Sequence, residues 1–479
     1  MPKIRMHDLV ILLPGITGSV LRKDGRDIWA ASGQALWSAL KSLGGSLQDL
    51  ALPIHDPSGD PPDTALVASG LMEGFHGIFG LWRIDGYDIT AKTIVEGFDI
   101  ESGTPLDGND RANLISFPYD WRLSNRVSAR RLKAFIDRRL PAFRKATDNP
   151  GAKVILLAHS MGGLVSRYYL EVLEGWRTCK ALITFGTPYR GAVESLNYLA
   201  NGYPKSALGD LTEVLRGLPS VYELIPRYEA LKVGNEWKRP AEAGALLGLH
   251  GPYTQAALAF HLEIDAAIAV NRREATYMEK PYAVFPVVGV RQPTLNSAVL
   301  EGGKIVASEL RPEWLDAELS GGDGTVPRVS ATPLDREQDL REIFFAERHA
   351  SLQRNDHVLT DLVERLKQMQ APRHRPARGG IAVAPRTMGL RIEQLYLTTE
   401  PVELSVEAED IEPFGAPRAR IVGTASELPE REARFVRSGD RWTANFGTLP
   451  PGQYRVRVEP GRGGPGAPSP VHDVFEVAT

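Results

Sequence analysis

The sequence predicts an α/β domain built on a mostly parallel sheet, followed by a smaller all-β sandwich. Three observations carry that expectation. Over residues 1–370, short apolar runs rich in β-branched residues alternate with helical stretches, the pattern of strands joined by crossover helices. Residues 371–380, "APRHRPARGG", interrupt it with Pro, Gly and Arg and read as a linker, which predicts few contacts between the parts it joins. Residues 381–479 then alternate apolar and polar side chains, with turns such as "SGD" and "PPGQ" between, as about seven short strands of an immunoglobulin-like sandwich would.

Taken in order, the expected strands of the first part are "DLVILLP" (8–14), "NLISFP" (113–118), "KVILLAHS" (153–160), "ALITFGT" (181–187), "AVFPVVGV" (283–290) and "EIFFAE" (342–347). Their nearly continuous apolar character fits strands buried on both faces. Helices are expected at "SRYYLEVLEGW" (166–176) and "VLTDLVERLKQM" (358–369). Segments 40–80 and 195–280 fall between these elements and are expected to cap the sheet's edge. In the second part, "VELSVEAED", "ARIVG", "EARFVRS", "RWTANF" and "YRVRVEP" read as strands.

Composition narrows the class of function. With 479 residues, 43% hydrophobic and 24% charged, the chain can bury a large core and is too apolar to be disordered. A net charge of −3 and the lack of a basic block argue against nucleic-acid binding. The single cysteine, Cys179, excludes an intrachain disulfide and a thiolate metal cluster. The early run "LVILL" is too short for a secretory core, and no run reaches the length of a spanning helix. A cytoplasmic location is therefore expected, and no cofactor or metal is called for.

Chemistry concentrates around Ser160. In "VILLAHSMGGLVSRYYL" (154–170) a strand, a tight turn and a helix follow one another with Ser160 at the apex, the arrangement of a nucleophile elbow with Ala158 in place of the first glycine of G-x-S-x-G. The helix start aims the N–H of Met161 at developing negative charge. A second donor is expected from the loop after an earlier strand, and "LLPGITGS" (12–19) offers the N–H of Ile16 behind its Pro-Gly turn. For the orienting acid, Asp323 in the glycine-rich "LSGGDGTVP" is the best candidate, while Asp316 and Asp356 lie where a solvated helix or helix start is expected. For the base, His349 follows the last strand directly, whereas His357 falls inside the last helix. His159 is expected to be a structural neighbour. Asp120 and Arg122 are expected to brace a loop through paired hydrogen bonds. The aromatic, glycine-broken "LMEGFHGIFGLW" (71–82), with Phe75 and Phe79, fits either an acyl-chain wall with peripheral membrane contact or plain core.

The ordered set "LLPGITGS", "LWRIDGYDIT", "FPYDWRLS", "AHSMGG", "FGTPYRGA", "VVGVRQPT" and "GGDGTVP" resembles the lecithin:cholesterol acyltransferase family, which includes lysosomal phospholipases A and phospholipid:diacylglycerol acyltransferases. The resemblance implies an α/β-hydrolase fold, a triad of Ser160, Asp323 and His349, an oxyanion hole of Ile16 and Met161, and ester chemistry on acylated lipids. Trp29 and Trp37 resemble remnants of that family's lid, with core packing as the alternative and Trp37 a candidate substrate contact. The β-rich end lies outside the usual family pattern, and docking of a protein partner is one role expected of it. The function expected is hydrolysis of lipid-like esters through an acyl-enzyme. The alternatives are transfer of the acyl chain to an alcohol, or a binding protein that acts through the sandwich.

Overall fold

The computed structural model describes residues 3–30, 49–59, 61–73, 75–78, 81–203, 212–279, 281–336, 343–371, 387–408, 411–464 and 466–478, with the backbone alone for 75–78, 81–84, 336 and 343. Seven parallel strands form the central sheet: β1 (Leu9–Leu13), β2 (Ser102–Gly103), β3 (Leu114–Ser116), β4 (Val154–His159), β5 (Cys179–Phe185), β6 (Ala283–Gly289) and β7 (Ile343–Phe345). Their order across the sheet is β7-β6-β5-β4-β1-β3-β2. The alternation of β1 explains its apolar run. Leu9, Ile11 and Leu13 enter one core, and Val10 and Leu12 enter the other. Both faces of the sheet are therefore covered, as a parallel sheet requires.

On the first face lie α2 (Asn125–Ala146) and α3 (Met161–Glu171), which contribute Leu132, Phe135, Leu164 and Val165. On the second lie α1 (Asp88–Gly97) and α6 (Asp356–Gln370), which contribute Ile94, Leu359 and Leu362. Between them in the chain, α4 (Val193–Asn201) and α5 (Gly251–Asn271) pack above the first face, with Tyr168 of α3 stacked on Phe260 of α5 at 5.4 Å. All the strand ends that carry chemistry, at Leu13, His159, Phe185, Gly289 and Phe345, point to one edge, because the strands are parallel. That carboxyl edge is where open α/β sheets place their sites.

The last part is a β-sandwich around its own core of Leu390, Leu404, Val406, Ile421, Tyr454, Val456 and Phe475 among others. Nine strands are described: β8 (Met388–Arg391), β9 (Leu395–Leu397), β10 (Glu403–Ala408), β11 (Arg418–Gly423), β12 (Glu430–Arg434), β13 (Val436–Ser438), β14 (Arg441–Asn445), β15 (Gly452–Glu459) and β16 (Val471–Ala478). One sheet runs β8-β10-β14-β13 and the other β9-β16-β15-β11-β12.

The expectation of few contacts between the two parts fails. Arg455 of β15 pairs with the buried Asp85 at 2.8 Å, Arg391 of β8 grips both oxygens of Glu309, and Asp473 of β16 pairs with Arg348 at 2.9 Å. The side chain of Gln292 accepts from Leu390 N and donates to Met388 O, both at 3.0 Å. Arg391 and Arg455 sit at the polar positions of alternating strands, so the sequence presents them as a solvent face. Residues 372–380 of the expected linker lie outside the described residues.

Candidate functional site

The site begins at the end of β4. Ser160 takes φ 50° and ψ −123°, a strained conformation for a residue with a side chain, and α3 starts at the next residue. The elbow is held from three sides. Ser160 N donates to Phe185 O at 2.9 Å, and Ser160 O accepts from Gly163 N and from Thr187 Oγ1, each at 3.0 Å. The turn also brings α3 against the loop after β1. A Cβ on Gly162 would stand 2.5 Å from Pro14 O, so no larger residue fits there.

The loop 14–19 is fixed by four aromatic side chains. Gly15 N donates to Tyr87 Oη at 2.8 Å, Tyr119 Oη donates to Pro14 O at 2.7 Å, Trp29 Nε1 donates to Thr17 O at 2.8 Å, and Trp121 Nε1 donates to Ser19 O at 3.3 Å. Its turn closes with Gly18 N on Gly15 O, with Thr17 at φ 63°, which leaves the Ile16 N–H outside that bond. Trp29 is buried edge-on against Trp121, 5.8 Å between ring centres. It therefore packs beneath the loop and not in a lid. Arg122 is fully buried, holds both oxygens of Asp120 at 2.9 and 2.7 Å, and reaches Thr64 Oγ1 at 3.0 Å, which ties segment 49–64 to the body.

Three side chains from three loops meet in one hydrogen-bonded line. His349 Nε2 lies 3.0 Å from Ser160 Oγ, and His349 Nδ1 lies 2.7 Å from Asp323 Oδ2. The other carboxylate oxygen of Asp323 accepts from Thr325 N and Val326 N at 2.9 and 2.7 Å, which fixes the group with Oδ2 toward the ring. His349 N also donates to Asp323 O at 2.8 Å. Gly186, at φ 58°, lets the chain pass behind this pair, since a Cβ there would stand 2.8 Å from both Asp323 Oδ2 and His349 Nδ1. All three side chains are almost closed to solvent.

Burial pushes the His349 pKa down, but the charge of Asp323, its hydrogen bond and the charge of Glu194 outweigh it and hold the ring above its ordinary value. A neutral ring in this position can take a proton from the adjacent hydroxyl.

The structure separates the other candidates from this line. Asp316 precedes a short 3₁₀ turn, Asp356 opens α6, and the backbone N of His357 is capped by Asn355 at 2.9 Å. His159 accepts from Tyr87 Oη at Nδ1, 3.0 Å, so its Nε2–H faces His349 O at 3.2 Å. It thereby links the loop 14–19 to the His349 backbone through Tyr87. Phe75 falls on a strand, Phe75–Ile78, paired antiparallel with Leu81–Asp85, while Trp37 and Phe79 lie outside the described residues. Sequence reading missed Tyr87 and Tyr119, because a buried tyrosine looks like core until its hydroxyl is seen to find a backbone partner.

A parallel sheet of this order with a strained serine between β4 and α3 is the frame of an α/β-hydrolase. Residues 107–245 match the family model of lecithin:cholesterol acyltransferase, so the resemblance read from the sequence is borne out over that segment. An uncharacterized protein of Saccharomyces cerevisiae, YJR098C, is 28% identical over 180 residues, covering 37% of this chain and 23% of the relative. The chain thus spans about a quarter of that relative's length. Among solved structures, the lipase BlEst2 of Bacillus licheniformis in its mature form aligns at 12% identity and TM-score 0.31, over 76% of this chain and 94% of the lipase. Its propeptide form aligns at 10% identity and TM-score 0.32, over 99% and 94%. With scores that low, the fold is carried by the order and direction of the chain's own strands.

Proposed function

We propose that the protein is a serine hydrolase of lipid-like carboxylic esters, and the observation that carries this is the hydrogen-bonded line Ser160, His349, Asp323 at the sheet's carboxyl edge. His349 accepts the Ser160 proton as Oγ attacks the acyl carbonyl, and the resulting imidazolium is stabilised by Asp323. The tetrahedral oxyanion is held by the N–H groups of Ile16 and Met161. Collapse of the intermediate returns the proton to the leaving alcohol and leaves an acyl-enzyme, which water then attacks with His349 again as base. The match to the lecithin:cholesterol acyltransferase family supports acylated lipids as the substrate class, and transfer of the acyl group to an alcohol is the second reading that match favours. A cytoplasmic setting remains part of the proposal.

The test has two arms. A fluorophosphonate probe should label Ser160, and Ser160→Ala should abolish both labelling and hydrolysis of a medium-chain p-nitrophenyl ester; a variant that kept most of its activity would remove Ser160 as nucleophile. A phospholipid with a labelled acyl chain, supplied with and without a long-chain alcohol, then separates the two reactions. Free fatty acid in both cases supports hydrolysis, and dominant transfer to the alcohol at millimolar concentration or below supports the acyltransferase.

A further inference from the structure

The residues just before His349 are gripped by the sandwich. Glu347 is fully buried, and its carboxylate accepts four hydrogen bonds. Two come from β16, His472 N at 2.8 Å and His472 Nδ1 at 2.9 Å; the others come from Arg348 N at 3.0 Å and from Asn355 Nδ2 at 2.7 Å, the residue that caps α6. Arg348 reaches the sandwich at two further points, pairing with Asp473 at 2.9 Å and donating to Leu390 O at 2.9 Å. Its guanidinium lies against Gly324, next to Asp323. On the far side of His349, Ala350 packs on Val474 of β16.

We infer that the sandwich is a positioning module for the catalytic histidine, acting through Glu347 and Arg348 with His472 and Asp473. This rests on the reading of Ser160, Asp323 and His349 given above. The physical reason is geometric. The segment 347–350 joins β7 to the 3₁₀ helix His349–Arg354, and three of its four residues are held by side chains or backbone of strands β8 and β16. A buried carboxylate or guanidinium that loses its partner is costly, so each grip resists displacement of the segment. A base that moves by about 1 Å out of line loses on the order of 10²-fold in rate. Glu347 and Arg348 touch neither the hydroxyl nor the ring nitrogens in this line, so they are positioning residues.

The test uses the full chain. His472→Leu removes the Nδ1 donor, and His472→Asn keeps a donor at nearly the same place. His472→Leu should lower kcat on a soluble p-nitrophenyl ester about 10- to 100-fold, with KM within twofold, and slow fluorophosphonate labelling of Ser160 by the same factor. His472→Asn should restore both to within about threefold of wild type, since its amide can meet Glu347. Rates are expressed per titratable Ser160, so that a loss of folded enzyme does not count as a loss of rate, and Asp473→Asn serves as a second variant on the same footing. Unchanged kcat per site in both His472→Leu and Asp473→Asn would overturn the inference, as would a rise in kcat, which would make the sandwich a restraint on the site. A wild-type chain that fails to label at Ser160 would instead bring down the proposed function and this inference with it.

Discussion

The serine side and the histidine side of the site are held by different kinds of force. Around Ser160, the loop 14–19 and the elbow are fixed by neutral groups: Tyr87, Tyr119, Trp29 and Trp121 on backbone carbonyls and amides, and Thr187 on Ser160 O. Around His349 the contacts are charged: Asp323 on the ring, and Glu347, Arg348 and Asp473 behind it. Neutral hydrogen bonds fix the backbone of the first side without adding a charge to it. The second side needs charge, because a buried imidazole without a carboxylate cannot hold a proton. Another buried histidine, His261, shows this within the same molecule. Burial and the nearby Arg227 depress its pKa to about 3, despite its hydrogen bond to Glu223 O, whereas the Asp323 carboxylate reverses that effect at His349.

The comparison predicts its largest effect at the base. His349→Ala should lower ester hydrolysis by on the order of 10⁶, the scale of losing a member of a working triad. His357→Ala should stay within a few-fold of wild type, as its backbone N is capped by Asn355 at the start of α6 and its ring has no described partner in the line. Steady-state rates of the two variants decide it, and an inactive His357 variant would move the base into α6 and break the contrast.

Asp323→Asn comes next, at about 10⁴ in kcat by the precedent of triad acids. Its pH dependence sharpens the comparison. In the proposed mechanism His349 acts as base only when neutral, and its pKa is held above the ordinary 6.5. Wild-type kcat/KM should therefore rise with pH through an acid limb centred above that value, flat at higher pH until another group titrates. Without the carboxylate the ring's pKa falls, so the limb should move to lower pH even as the plateau drops. A limb that stays in place would show that Asp323 does not set the proton affinity of His349.

On the serine side the expected change is in stability and not in the limb. Tyr119→Phe leaves Pro14 O without its buried donor, a loss of about 1–3 kcal/mol in urea unfolding. The rate should fall only to the extent that the Ile16 N–H shifts, and the acid limb should remain where the wild type has it. A moved limb would mean that the two sides share one electrostatic unit.

Much of this architecture was legible in residue order. Six of the seven central strands coincide with apolar runs readable in the chain, the exception being the two-residue β2, because strands buried on both faces must be apolar throughout. The elbow was legible too, since a strand, a small-residue turn around a serine and a helix leave little other geometry open. Asp120 and Arg122 were readable as a brace from their spacing alone, two residues apart on one tight loop.

What tertiary structure alone decided concerns pairs distant in sequence. The sequence could rank His349 above His357 and Asp323 above Asp316 and Asp356, but only the folded chain brings residues 160, 323 and 349 to within hydrogen-bond distance. The grip of the sandwich on Glu347 and Arg348 was invisible for a further reason. In an alternating strand, His472 and Arg455 occupy the positions that normally face water, and nothing local distinguishes a polar residue that meets solvent from one that meets a buried carboxylate 125 or 370 residues away. Periodicity fixes which face a side chain takes, because the backbone repeat is local. What stands opposite that face depends on how two separately formed cores dock, and that is written in no single stretch of the chain.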